Sequence, residues 1–178
     1  MRFELEGPTI YLRLVKEEDA SFICSLRNNE KLNAHLSRSS PYIEDQRQWI
    51  LDYKDREAKE QEFYFIIYRK SDDLPIGTVR LYDFRKNPKS YCWGSWILNA
   101  DKTRYAALES SLLMYETAFN KLGFDQSHYD VRKDNVKVQS FHEKMGAEKV
   151  SEDELNYYYI FPKWQHEENK LKYSKFLL

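Results

Sequence analysis

The chain has 178 residues, 28 of them Lys or Arg and 29 Asp or Glu, for a net charge of −1. That length suits one domain of roughly 150 residues with a core of its own, and the balanced charge excludes a general nucleic-acid binder, which would be strongly basic. No run approaches the ~18 apolar residues that cross a bilayer, the opening MRFELEGPTI lacks the apolar run of a signal peptide, and Cys24 and Cys92 are too few for a disulfide scaffold, so a cytoplasmic protein is expected.

Thr9 to Val15 alternates around Ile10, Leu12 and Leu14, the period of a half-buried strand. Glu17-Glu18-Asp19 then puts acid at the start of a helix, where the macrodipole favours it. That helix runs to about Asn28, with Ala20, Ile23 and Leu26 inward. Asn29 to Tyr42 is polar, ends in Ser39-Ser40-Pro41 and reads as a loop. A second helix spans about Glu44 to Lys59, with Trp49, Ile50 and Tyr53 on one side. Phe63 to Tyr68, FYFIIY, is short and wholly apolar, which fits a strand buried on both faces. Turn chemistry at Asp72-Asp73-Leu74-Pro75 leads into strands at Ile76–Phe84 and Ser90–Leu98, an antiparallel meander. Leu108, Leu112, Tyr115, Phe119 and Leu122 then mark one face of a helix that closes at Gly123.

His128 to Arg132 reads as a short strand, Asp134 to Met145 as a helix ending at Gly146, and Asn156 to Phe161 as an aromatic strand. Lys163 to Leu178 is charged and amphipathic, a helical tail against the body or else a dimer contact, so a monomer or homodimer is expected. No repeat or linker interrupts the chain, and residues 1–178 read as one domain. The order β-α-α-β-β-β-α-β-α-β predicts an α/β (α+β) protein, a mixed sheet with helices on both faces. The 14 Tyr, 10 Phe and 4 Trp set against 5 Gly fit an aromatic core, or a cleft for a flat or sugar-like ligand.

Several chemistries are excluded by motif. Five scattered glycines form neither a phosphate loop nor a Gly-x-Gly-x-x-Gly turn, so nucleotide hydrolysis and dinucleotide redox chemistry are not expected. His35, His128, His142 and His166 never fall in an i, i+4 pair, and no metal site is expected. Ser95, in Trp93-Gly94-Ser95-Trp96, lacks the second glycine of a nucleophile elbow.

Five other pieces occur in order. They are I10-Y-L-R-L-V-K-E-E-D19, Arg27-Asn28, P75-I-G-T78, W93-G-S-W-I-L98, and Asn135 followed by His142-Glu-Lys-Met-Gly146. Together, from about residue 8 to 162, they resemble the GNAT-superfamily N-acetyltransferases of the ribosomal-protein-acetyltransferase-like type. The resemblance implies a GNAT fold with a central sheet of about six to seven strands and a splayed fourth strand. It also implies acetyl-CoA as co-substrate without a metal, and direct transfer to the primary amine of a small molecule. An amino sugar or nucleotide-linked amino sugar is the leading expectation. A peptide or protein α-amine is the alternative, and a non-catalytic acyl-CoA-binding or partner-binding module is the rival from another class. No nucleic acid or membrane partner is expected.

By the same resemblance, Trp96, Ile97 and Leu98 lend backbone groups to the pantetheine arm. Lys102, Thr103, Arg104, Tyr105, Ala106 and Ala107 stand in the pyrophosphate loop, with Tyr105 where the family has a glycine. The N-terminus of the following helix offers free N–H groups and a positive dipole end to a phosphate. Gly94 is a candidate bulge that aims an N–H at the thioester carbonyl, or else a point of close packing. Asn135 either contacts the pantetheine and thiolate or caps its helix. His142 takes the place of the family's tyrosine general acid, or packs within its helix. SYCWGSWIL holds no carboxylate, so the base is expected at Asp83, with His128 behind it, or through a water relayed by Ser95. The acceptor site is expected at Arg27, Asn28, Tyr42, Arg80, Tyr82 and Trp93.

Overall fold

In the computed structural model, which describes residue 3 and residues 5–176, the apolar alternation around Ile10 becomes β2 (Ile10–Leu14), preceded by the two-residue β1 (Leu5–Glu6). A 3-10 turn over Glu17–Asp19 leads into α1 (Ala20–Arg27), and α2 (Ile43–Ala58) follows the polar loop. The meander is β3 (Phe63–Arg69), β4 (Leu74–Lys86) and β5 (Lys89–Leu98). Then come α3 (Ala106–Glu116) with a π turn at Thr117–Lys121, β6 (Gln126–Arg132), α4 (Val136–Met145), β7 (Glu148–Glu152), β8 (Asn156–Pro162) and α5 (Lys163–Lys172). The eight strands make one sheet in the order β1-β2-β3-β4-β5-β6-β8-β7. Its neighbours are antiparallel except β5 and β6, which run parallel across the α3 crossover.

FYFIIY shows why the strand is apolar throughout. Phe63, Phe65 and Ile67 enter the larger core beneath α3, with Tyr91, Trp93, Tyr115, Phe119 and Phe161. Tyr64 and Ile66 face the other way, into a smaller core with Ile23 of α1 and with Ile50 and Tyr53 of α2. Truncating Phe65, which is fully buried, to alanine should cost about 3–5 kcal/mol.

The sheet is two strands longer than the pattern predicts. β7, EKVSE, is exposed at every residue, so it carries no hydrophobic period. It pairs with β8 as a charged edge strand, a common defence against edge-to-edge association. The tail packs on the body through α5: His166 is fully buried with Nε2 2.8 Å from Glu116 Oε2, and Asn169 Nδ2 donates to the Met145 carbonyl at 2.7 Å. Gly146, at φ +99°, occupies the left-handed position that ends α4, where a side chain would be strained.

The splay lies between β5 and β6. They pair only at Ser90/Gln126 and Tyr91/Ser127, although both strands continue, to Leu98 and Arg132. The gap is wedged from the helix side by α4: the His142 ring lies 5.3 Å from that of Trp93 on β5 and 4.4 Å from that of Tyr129 on β6.

Candidate active site

Across β4 and β5 the register pairs Thr78 with Ile97 and then Arg80 with Gly94. Val79 on β4 is therefore opposed by two residues, Ser95 and Trp96, which is a β-bulge. Ser95 sits at φ +45°, a conformation that costs a serine about 1 kcal/mol or more, and Thr78 Oγ1 donates to its carbonyl at 2.8 Å. The bulge thus falls one residue after Gly94. Gly94 itself marks close packing, since a Cβ there would lie 2.9 Å from Tyr82 Oη.

A cavity of about 420 Å³ fills the splay. Of the residues expected to hold a donor, Trp96, Ile97, Leu98, Lys102, Ala107 and Asn135 line it. His142 and Trp93 line it as well, so the structure places Trp93, expected with the acceptor, in this cavity. A buried polar atom, His142 Nδ1, has no partner, and no side chain caps α3. A thioester with a phosphate-bearing arm fits such a lining. Asn135 Oδ1 also accepts from Val138 N at 3.4 Å, so the residue caps α4 while facing the cavity. Burial among aromatic rings pushes the His142 pKa down to about 3, and the side chain is a neutral imidazole at pH 7.

Four loop residues lie outside that lining. The Tyr105 ring turns away and meets Phe176 at 4.9 Å, with the Arg104 guanidinium over its face at 5.2 Å. This is how the loop accommodates a tyrosine in place of a glycine. Ala106 is fully buried. Thr103 Oγ1 and Thr9 Oγ1 are 2.7 Å apart. Thr9 donates to Glu109 Oε1 at 2.7 Å, and its backbone N–H to Oε2 at 2.9 Å. The buried Glu109 carboxylate of α3 therefore tethers the loop through two threonines.

A second cavity, of about 380 Å³, opens toward α1 and α2 with Ser95 at its edge. Arg27 and Arg80 line it as expected. It also gathers Ser37, Arg38, Ser39 and Ser40, whose only sequence signal was the polarity of the loop, and Trp49 and Tyr64, which the sequence marks as helix and strand core. Arg27 Nε donates to Ser39 Oγ at 2.5 Å and Nη2 to Ser37 Oγ at 2.9 Å. Arg80 lies over the Tyr82 ring at 4.2 Å and the Trp49 ring at 5.5 Å. It donates to the buried Glu62 at 3.1 Å, and its buried Nε has no partner. Asn28 supports the loop from behind, donating to the carbonyls of Cys24 and Ser40, each at 3.0 Å. Tyr42 is 70% exposed and outside both cavities. The same loop walls both cavities, with Lys31, Leu32, His35 and Leu36 on the splay side.

Asp83 lies outside both cavities, at φ +51°. Its Oδ2 accepts from Arg85 at 2.6 Å and lies 2.9 Å from His128 Nε2, contacts that hold its pKa below the usual carboxylate range. His128 Nδ1 meets the Ser90 hydroxyl. Ser90 is 2% exposed, so this Ser-His-Asp chain braces the sheet and offers no accessible nucleophile. Among the described residues there is no cluster of three or more His, Cys, Asp or Glu that could hold a metal. No helix among them is long and apolar enough to cross a membrane.

Residues 9–148 match the family described as acetyltransferase (GNAT) domain. The chain belongs to the GNAT acetyltransferase family. It is an N-acetyltransferase by that membership, and GNAT domains use acetyl-CoA as co-substrate. The GNAT chain is similar in structure to apo FdhC, a nucleotide-linked sugar GNAT, with a TM-score of 0.94, 60% identity and full coverage of both chains. A curated relative, the probable N-acetyltransferase YjcK of Bacillus subtilis, is 28% identical over 82% of this chain and 83% of its own length. The ribosomal-protein-S5-alanine acetyltransferase of Vibrio fischeri shares the fold at a TM-score of 0.79 and 18% identity, covering 91% of this chain and 97% of its own.

Proposed function

We propose that the splay cavity holds acetyl-CoA, and that the arginine–serine cavity holds the acceptor, a nucleotide-linked amino sugar whose primary amine is acetylated. The observation that carries this reading is the placement of two unlike cavities on the two sides of β5, with Gly94 and Ser95 between them. Arg27, Arg38 and Arg80 with the serine hydroxyls suit a diphosphate, and Trp49 and Tyr64 suit a flat base or sugar face. The likeness to a nucleotide-linked sugar GNAT supports the same acceptor class. Three guanidinium groups call for an anion, which the diphosphate supplies and the α-amine end of a peptide does not.

On this reading Trp96, Ile97 and Leu98 present backbone groups to the pantetheine arm, and the uncapped α3 terminus with Lys102 faces the pyrophosphate. An N–H at the bulge polarises the thioester carbonyl as the oxyanion forms. His142, neutral at working pH, donates an N–H hydrogen bond to the departing sulfur instead of delivering a proton from an imidazolium, and Asn135 orients the same region. Transfer is direct. Cys92 is buried, and burial pushes its thiol up to about 12, far from a thiolate. The setting is cytoplasmic and the active unit a monomer or homodimer.

Thiol release from acetyl-CoA with UDP-glucosamine, free glucosamine and an alanine-terminated peptide tests the reading. The expected KM for the nucleotide-linked sugar is at least about tenfold below that of the free sugar, since the diphosphate adds charge-assisted hydrogen bonds. Preference for the peptide, or no turnover by a protein that binds acetyl-CoA, would overturn it.

A further inference from the structure

We infer that Asp130 is the general base that takes the proton the acceptor's ammonium must lose before it attacks; the inference rests on the two-cavity reading above. Beyond the pair Tyr91/Ser127, β5 and β6 part. Three residues further along each strand come Gly94 and Asp130, at the same level on opposite lips of the splay, and both line its cavity. Residue alternation sets the side. Ser127, Tyr129 and Val131 are buried, while Asp130 is exposed and falls on the face where His128 meets Asp83 and Ser90. Arg80, Tyr82 and Cys92 share that face, so Asp130 projects toward the side from which the acceptor arrives.

The other candidates are occupied or distant. Both ring nitrogens of His128 are engaged, and Asp83 is held by Arg85 and His128. Asp130 has no side-chain hydrogen bond or ion pair among the described residues. The titratable groups around it are Tyr82 of β4, Cys92 of β5 and Tyr158 of β8, each of which senses its charge. Lys31 and His35 of the loop, Arg132 of β6, and Lys137 and His142 of α4 line the same cavity.

The step balances. R–NH3+ gives one proton to the Asp130 carboxylate, and the freed lone pair forms the N–C bond while the carbonyl π pair moves to oxygen. On collapse the C–S bond breaks, its pair leaves on sulfur, and the remaining excess N–H proton passes to that thiolate. The products are the amide, CoA–SH and one proton, which Asp130 returns to water.

The test compares wild type with Asp130→Asn and Asp130→Ala on the best acceptor of a panel led by UDP-glucosamine. The expected kcat loss is about 100-fold or more, with the acceptor KM within about threefold and the calorimetric Kd for acetyl-CoA within about twofold, since the diphosphate and the coenzyme arm are held by other groups. Added formate should restore at least about tenfold of the lost rate in Asp130→Ala and none in Asp130→Asn, because only the alanine leaves room for a replacement carboxylate. A kcat above about a third of wild type, a loss confined to KM, or a loss that formate does not rescue would overturn the inference while leaving the acetyltransferase reading intact. Wild-type silence across the whole panel would overturn both.

Discussion

The two sides of β5 are built from different materials. Toward α3 and α4 lies a space opened by backbone: two strands that stop pairing after Tyr91 and Ser127, an uncapped helix end, and walls of indole and aliphatic carbon with Lys31, Lys102, Arg132 and Lys137 among them. Toward α1 and α2 lies a space furnished by side chains, with three arginines and four serines, of which Arg38, Ser37, Ser39 and Ser40 come from one loop. A donor shared across a family can be held by strand geometry, and the side chains need only stay out of the way, as Tyr105 does by turning to Phe176. An acceptor is distinguished by individual groups, so on the proposed reading its identity resides in residues 27–49 and at Arg80.

The largest separation of the two sides should come from Ala107→Glu, which puts a carboxylate on the splay lining beside the α3 terminus. Donor Kd, read by calorimetry, should rise about 100-fold, roughly 2.7 kcal/mol, while the arginine cavity is untouched. Next is His142. In the unfolded chain its imidazole takes a proton below about 6.5, but in the fold only near 3. Between those values the unfolded state binds the extra proton, so stability is full above the upper value and falls on acidification by about 1.4 kcal/mol per pH unit, or about 2 kcal/mol by pH 5. Denaturant melts at pH 7.5 and 5 should show that loss in wild type and a smaller one, by about that amount, in His142→Phe; equal losses would show that the ring is not held neutral. His142→Phe should also lose most turnover at pH 7.5.

Arg38→Ala comes third. Arg38 makes no hydrogen bond or ion pair among the described residues, so nothing structural is lost. The acceptor KM should rise about tenfold, with an unchanged melting temperature and a weaker dependence on salt. The smallest effect is expected for Thr103→Val, which cuts the loop from Thr9 and Glu109 and should weaken donor binding about three- to fivefold.

Much of this fold is legible because its strongest periods are local. FYFIIY and the Leu108–Leu122 stripe mark a doubly buried strand and a core helix without any partner information. β7 is silent for the opposite reason: every side chain is in solvent, and only pairing with β8 makes it a strand. At the site, the motif around Trp93–Leu98 leads to the splay. Ser95 as the bulge depends on register across β4, which a single strand does not reveal. Trp93 was expected with the acceptor, but alternation from Gly94 sends its indole under α4. Trp49 and Tyr64 read as core residues from their helix and strand, and become lining only where α2 and β3 meet the loop. Asp130 carries no local signal, because the role proposed for it depends on the residue it faces across a gap.

The most direct check on the division of labour is calorimetric titration of acetyl-CoA into wild type, Ala107→Glu and Arg38→Ala. Micromolar binding to wild type, about 100-fold weaker binding to Ala107→Glu, and wild-type affinity in Arg38→Ala are expected. No heat with wild type at millimolar acetyl-CoA, or donor affinity lost in Arg38→Ala and kept in Ala107→Glu, would contradict that division.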